Sequence, residues 1–178
     1  MQNKLFGLLL GGSFMLPVAV QAQPQLPETP WESHTALERR AVSPVYHRQW
    51  LRAPTKNQCA ILALASRDPA QLPSARSRKA EFAGGWGVAY DLRRYRGAFL
   101  RSAYGVANSG TTDGVYGIWP DRIDYRDGTV ITYGREGGLP DGKWLAFVHL
   151  PNGCFYNVWS NISQAHLLQV INGLRYVK

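Results

Sequence analysis

The chain has 178 residues, with 20 lysines and arginines against 12 aspartates and glutamates, a net charge of +8, and two cysteines. That length suits one domain with a real hydrophobic core, and no stretch beyond the N-terminal leader is apolar for long enough to span a bilayer. The surplus of positive charge bears on partners rather than on fold.

The leader MQNKLFGLLLGGSFMLPVAVQA places Lys4 before an apolar run over 5–20 that Pro17 interrupts, and it ends in the small-residue pattern Val20-Gln21-Ala22. This is the pattern of a secretory signal peptide cleaved after Ala22. A retained anchor would need roughly 20 unbroken apolar residues. No cysteine follows the cleavage position to carry a lipid anchor. Export takes the chain into an oxidising compartment, so Cys59 and Cys154 are expected to join. Closing so long a loop restricts the unfolded chain by on the order of 4–5 kcal/mol in the loop-entropy account.

Residues 23–56 read as a flexible leader containing one short helix, and 57–178 as the folded domain. In the leader, QPQLPETP is proline-rich with little to bury. Thr29, Pro30 and Glu32 form a capping-box pattern that predicts a helix over 30–41, stopped by Ser43-Pro44. CAILALAS, over 59–66, is a buried strand bounded by polar residues. SARSRKAEF reads as a short basic helix capped by Ser74. WGVAYDL and AFLRSAYGVA read as strands, followed by the loop NSGTTDG. Two hairpins follow, around Asp127-Gly128 and Asn152-Gly153, dipeptides suited to two-residue turns. A two-residue turn at Asn152-Gly153 sets His149 opposite Tyr156 and Phe147 opposite Val158. The chain then ends in a helix capped by Ser163, with Leu167, Leu168, Ile171 and Leu174 at helical spacing. The sum is a single α+β domain: about six mostly antiparallel strands in one sheet, with the C-terminal helix packed on it and a short N-terminal helix.

The stretch NGCFYNVWSNISQAH suggests a cysteine nucleophile at Cys154 served by His166 as its base. Spacing argues against the pair. The strand from Cys154 advances about 17 Å by Trp159, whereas the helix returns only about 4.5 Å between Ser163 and His166. A base must come within about 3 Å of its nucleophile or act through one water. Cys154 therefore reads as a disulfide anchor. Asn157, Trp159 and His166, with Trp86, form a candidate aromatic and polar cluster.

Other motifs fail on chemistry. GGLPDGKW over 137–144 matches a phosphate loop until Trp144 stands where a serine or threonine should reach magnesium, and it leads into a strand. Asp121, Asp124 and Asp127 lack the alternate spacing of a calcium loop. His34, His47 and His149 show no metal-ligand spacing, and no cofactor is implied. Trp86, Tyr116 and Trp119 lie among glycines, as packing residues or as a sugar or peptide platform. Asn161-Ile162-Ser163 is formally a glycosylation acceptor, though at a helix start it reads as capping chemistry.

Charge is uneven along the chain. From 39 to 101 it carries Arg39, Arg40, Arg48, Arg52, Lys56, Arg67, Arg76, Arg78, Lys79, Arg93, Arg94, Arg96 and Arg101 against Asp68, Glu81 and Asp91, while from Ser102 onward basic and acidic residues are matched. Arg93, Arg94, Arg96 and Arg101, near Tyr95 and Phe99, are the anion-binding candidates, with forked hydrogen bonds to phosphate, sulfate or carboxylate. The expectation is an exported, periplasmic, non-enzymatic binding or inhibitor-type protein with a basic face. Its partner would be an anionic envelope polymer or an acidic protein; nucleic acid ranks last. The alternatives are a small envelope hydrolase using His166 with Asp91 or another carboxylate, and a structural envelope protein.

Overall fold

The computed structural model describes residues 25–82, 84–92, 102–109, 119, 121–138 and 142–178. Its elements in chain order are helix α1 (Pro44–Trp50), strands β1 (Ile61–Leu64), β2 (Arg76–Ala80), β3 (Trp86–Asp91), β4 (Tyr104–Ser109), β5 (Asp121–Asp124), β6 (Val130–Arg135), β7 (Trp144–His149) and β8 (Phe155–Ser160), helix α2 (Gln164–Gly173) and strand β9 (Leu174–Val177). Seven strands form one antiparallel sheet in the order β2-β3-β4-β8-β7-β6-β5, and β1 pairs with β9 in a second, two-stranded sheet. The expected α+β fold stands, with its helix on the sheet, and the second small sheet is added to it.

The main core lies between one face of the large sheet, both helices and the small sheet. Side chains alternate along each strand, so Trp86, Val88 and Tyr90 on β3 share this face with Tyr104 and Val106 on β4 and Tyr156 and Val158 on β8. Aromatic rings knit it: Tyr90 stacks on Tyr104 at 4.6 Å, and Trp86 meets Tyr46 of α1 and Tyr156 edge-on. The opposite face holds a smaller cluster of Ala89, Ala107 and Trp159, packed with Phe82 and Leu145. Every residue of β8 is therefore buried, as expected of a central strand covered on both sides.

Several local expectations are corrected. Instead of a helix over 30–41 there is a single turn closed on the Thr29 carbonyl and a 3-10 turn at Arg39–Ala41. Thr29 is buried and its hydroxyl caps nothing. Ser43-Pro44 starts a helix rather than stopping one: the Ser43 hydroxyl accepts from Val45 N at 3.2 Å, and Pro44 occupies the first helical position, where no amide hydrogen is required. SARSRKAEF is not helical. Ser74 takes a left-handed φ of 68°, and β2 follows as an extended edge strand paired with β3.

Both hairpins carry one more turn residue than a two-residue loop. Gly153 N donates to Leu150 O at 3.0 Å while Leu150 N donates to Cys154 O at 2.9 Å, so Pro151-Asn152-Gly153 make the turn and only Gly153 is left-handed, at φ 82°. Tyr125, Gly128 and Thr129 repeat the pattern. This is the three-residue class of hairpin loop, with glycine at its last position. The consequence is a register one residue away from the expected one: His149 pairs with Phe155 and Phe147 with Asn157. Such a slip exchanges faces. Phe147 joins Phe155, Asn157 and Trp159, while Val148 and Leu150 join Cys154 in the main core. Finally, the chain does not end in its helix. Leu174 closes α2 and begins β9, whose residues pair with β1 in the register Ile61↔Val177 through Leu64↔Leu174.

Candidate functional site

Cys154 is committed to the fold. Its sulfur is bonded to that of Cys59 across 95 residues, with the Cα atoms 5.6 Å apart, and both residues are buried. The bridge ties the β7–β8 turn to the segment before β1. Trp50 of α1 adds to this anchor by donating its indole N–H to Cys59 O at 2.8 Å. A disulfide of this kind fits an oxidising compartment. Among the described residues, no helix is long and apolar enough to cross a membrane.

His166 sits on the first turn of α2, where Ser163 accepts its backbone amide at 3.0 Å. Its ring is buried on the main-core side, edge-on to Tyr104 at 4.9 Å. Nε2 lies 3.1 Å from Ala70 O, and Nδ1 lies 3.0 Å from Ser160 Oγ. A carbonyl only accepts, which assigns the proton to Nε2 and leaves Nδ1 to accept from the Ser160 hydroxyl. Ser160 Oγ in turn accepts from Ile162 N at 3.1 Å. Burial lowers the His166 pKa, the Ala70 carbonyl opposing that shift. A serine bonded to a neutral imidazole has the geometry of a nucleophile and its base. Here, however, Ser160 is fully buried, and a carbonyl stands where a carboxylate would orient the ring.

The proposed carboxylate lies elsewhere. Asp91 follows the core residue Tyr90 on β3, so its side chain leaves the sheet on the other face, where Arg78 Nε donates to it at 2.7 Å. The four residues of the candidate aromatic and polar cluster are divided in the same way. Trp86 and His166 belong to the main-core face, whereas Trp159 and Asn157 belong to the opposite one. Asn157 donates to Ser109 Oγ at 2.7 Å, and Trp159 donates to Ser102 Oγ at 2.9 Å while stacking on Phe82 at 5.6 Å. No single cleft gathers the four. Trp119 packs on Phe147 at 5.8 Å, and the Asn161 amide donates to Ser102 O at 2.6 Å, so that amide is engaged in the fold.

Arg93, Arg94, Arg96 and Arg101 lie outside the described residues, as does Tyr116. Positive charge is nevertheless prominent on the described surface. Arg48 and Arg52, on and just after α1, are exposed, and so are Arg76, Arg78 and Lys79 on β2. The two elements are joined at their starts by a Ser43–Ser77 hydroxyl contact of 2.7 Å. Arg78 is paired with Asp91 and Lys79 with Glu81. Among the described residues, Arg48, Arg52 and Arg76 have no ion-pair partner. A groove of about 510 Å³ separates the end of α1 from the end of β2, lined by Gln49, Arg52, Lys79, Glu81, Phe82 and Gly85.

Comparison with known protein families, with curated proteins and with solved structures returns no match.

The anion-binding candidates at 93–101 lie outside the described residues, and the basic surface that is described belongs to α1 and β2. The signals that could have found it are Ser43-Pro44 as a helix start, which carries Arg48 and Arg52 outward, and the extended RSRK segment, whose alternation spreads cations over both sides of a strand. Among the described residues, no three histidine, cysteine or acidic side chains are grouped as metal ligands would be.

Proposed function

We propose that this protein is an exported, periplasmic binding protein, non-enzymatic, whose basic surface meets an acidic partner. The observation that carries the reading is the exposed cations of α1 and the β2 edge: Arg48 and Arg52, on the core side of the sheet, and Arg76, on the other side, have no carboxylate partner among the described residues. Unneutralised arginines offer fixed, planar donors to carboxylate, sulfate or phosphate. Two further features support it. The leader and the disulfide together suit an exported chain. The buried Ser160–His166 pair is closed to a soluble substrate, which weighs against the hydrolase reading.

Binding to immobilised heparin and to polyglutamate, measured against ionic strength, tests the proposal. Attraction between exposed charges is screened as the Debye length shrinks, to about 3 Å at molar salt. The expected outcome is retention at low salt that salt abolishes, and weaker retention of the variant R48E/R52E/R76E. Absence of retention of the native protein on both supports at low salt would overturn it.

A further inference from the structure

Among the described residues, the edges of the large sheet are β2 and β5. An edge strand presents unpaired N–H and C=O groups in a row, and it can accept another extended chain through them. The two edges differ in charge. On β5, Arg122 is bound by Asp124 through contacts of 2.6–3.0 Å, and Asp121 adds a negative charge. On β2, the sequence Arg76-Ser77-Arg78-Lys79-Ala80 has neither proline nor acidic residue, and its alternating side chains set cations on both sides of the edge. Arg76 and Arg78 leave on the side of Asp91, while Lys79 leaves on the side of Val88 and the main core. The groove between α1 and β2 adds Arg52 and Gln49 beside Lys79.

We infer that the β2 edge binds an extended, acidic polypeptide segment of another protein by adding it as an eighth strand to the large sheet. This rests on the basic-surface reading above and names the partner's chemistry and mode of attachment. Main-chain pairing along β2 supplies the bonds common to any sequence. Carboxylates on one side of the incoming strand meet Arg76, and those on the other enter the groove toward Arg52. A polypeptide is favoured over a glycan because only a peptide backbone presents donors and acceptors at the spacing of a strand edge. The same cations discourage pairing with apolar or basic strands, which keeps the edge selective.

The test uses the native protein with a short capped peptide of repeating Glu-Glu-Thr-Thr, whose glutamates fall on both faces of a strand, and the same peptide N-methylated at every amide. Methylation preserves charge and removes the main-chain hydrogens that a strand edge requires. A heparin fragment of matching charge is the third probe, and sedimentation of the protein alone is the fourth measurement. The unmodified peptide is expected to bind at least about tenfold more tightly than the methylated one. The variant R52E/R76E, which breaks no ion pair within the described residues, should weaken that binding by a similar factor, and K56E/R67E should leave it unchanged. Equal binding of the two peptides would overturn strand addition while leaving an acidic partner in place. Heparin binding tighter than either peptide would assign the surface to an anionic glycan. Self-association lost in R52E/R76E would assign the edge to a second copy. Binding of no probe would remove the basic-surface reading as well.

Discussion

The Ser160 hydroxyl and the His166 ring form a closed pair beneath α2: Oγ lies 3.0 Å from Nδ1, and the far side of the ring is held 3.1 Å from the Ala70 carbonyl. The pair joins the last residue of β8, the first turn of α2 and the loop before β2 in one place. Each polar group of the pair finds a partner within the protein.

That geometry makes stability depend on acid. Burial holds the His166 pKa below its ordinary value of 6.5, and burial does the same for His149. A depressed histidine pKa means that the unfolded chain binds the proton more readily, so the contribution of the neutral rings is complete above about pH 6.5 and is lost as pH falls through their lowered folded values. Urea midpoints of the native protein should fall between about pH 7.5 and about pH 5 by more than those of H166Q. Equal falls would show that His166 does not carry the dependence.

The Cys59–Cys154 bridge closes a loop across 95 residues. Its loss should cost up to about 4–5 kcal/mol, less whatever order the unfolded chain retains. Urea unfolding of C59A/C154A, with reduced native protein as the comparison, reads this directly. An unchanged midpoint would mean that the bridge only records proximity. Thiol labelling of the unreduced protein should find neither cysteine reactive.

A buried polar contact links the segment before β1 to the sheet. Thr55 donates its hydroxyl to Asn108 Oδ1 at 2.6 Å, and Asn108 donates to Phe155 O at 2.9 Å. Thr55→Val preserves shape and orphans a fully buried amide oxygen, so it should cost about 1–3 kcal/mol. Thr55→Ser keeps the hydroxyl and should cost less. Chemical denaturation of the two variants checks the order, and the reverse order would assign the cost to the lost methyl group.

How far these features could be read in advance depended on how far each signal reached along the chain. The Ser163 cap and the apolar spacing of 167, 168 and 171 are local and strongly periodic, so α2 was legible; the paired cysteines followed from compartment and count. Where one extra residue decides the outcome, local pattern failed. Asn152-Gly153 fits a two-residue turn as well as the last two positions of a three-residue one, and the choice reassigned Phe147, Val148 and Leu150 between faces. Strand β9 was hidden because LRYV continues the apolar spacing of α2, and only pairing with distant β1 draws it out as a strand. The helix expected over 30–41 lost to tertiary burial of Trp31 and Thr29. Trp86 and Trp159 looked alike in sequence because each is an aromatic on a strand. Their opposite faces depend on register across three strands, which no single segment encodes.

Register also brings Trp159 over Gly105, its direct cross-strand partner. A Cβ built on Gly105 would lie 2.1 Å from Cζ2 of the indole and 2.6 Å from the Val88 carbonyl oxygen. The glycine is therefore required by the ring that covers it, and Ala89 and Ala107 continue the small-residue floor on which Trp159 and Phe82 rest. Gly105→Ala must push the indole away from Ser102 and Phe82, for an expected loss of about 1–3 kcal/mol. In a Trp159→Leu background the same change should cost less, though not nothing, because the Val88 carbonyl remains in the way. The coupling between the two sites, read from urea unfolding of the single and double variants, should thus exceed about 0.5 kcal/mol. Additive losses would mean that the backbone at Val88, rather than the indole, sets the requirement for glycine.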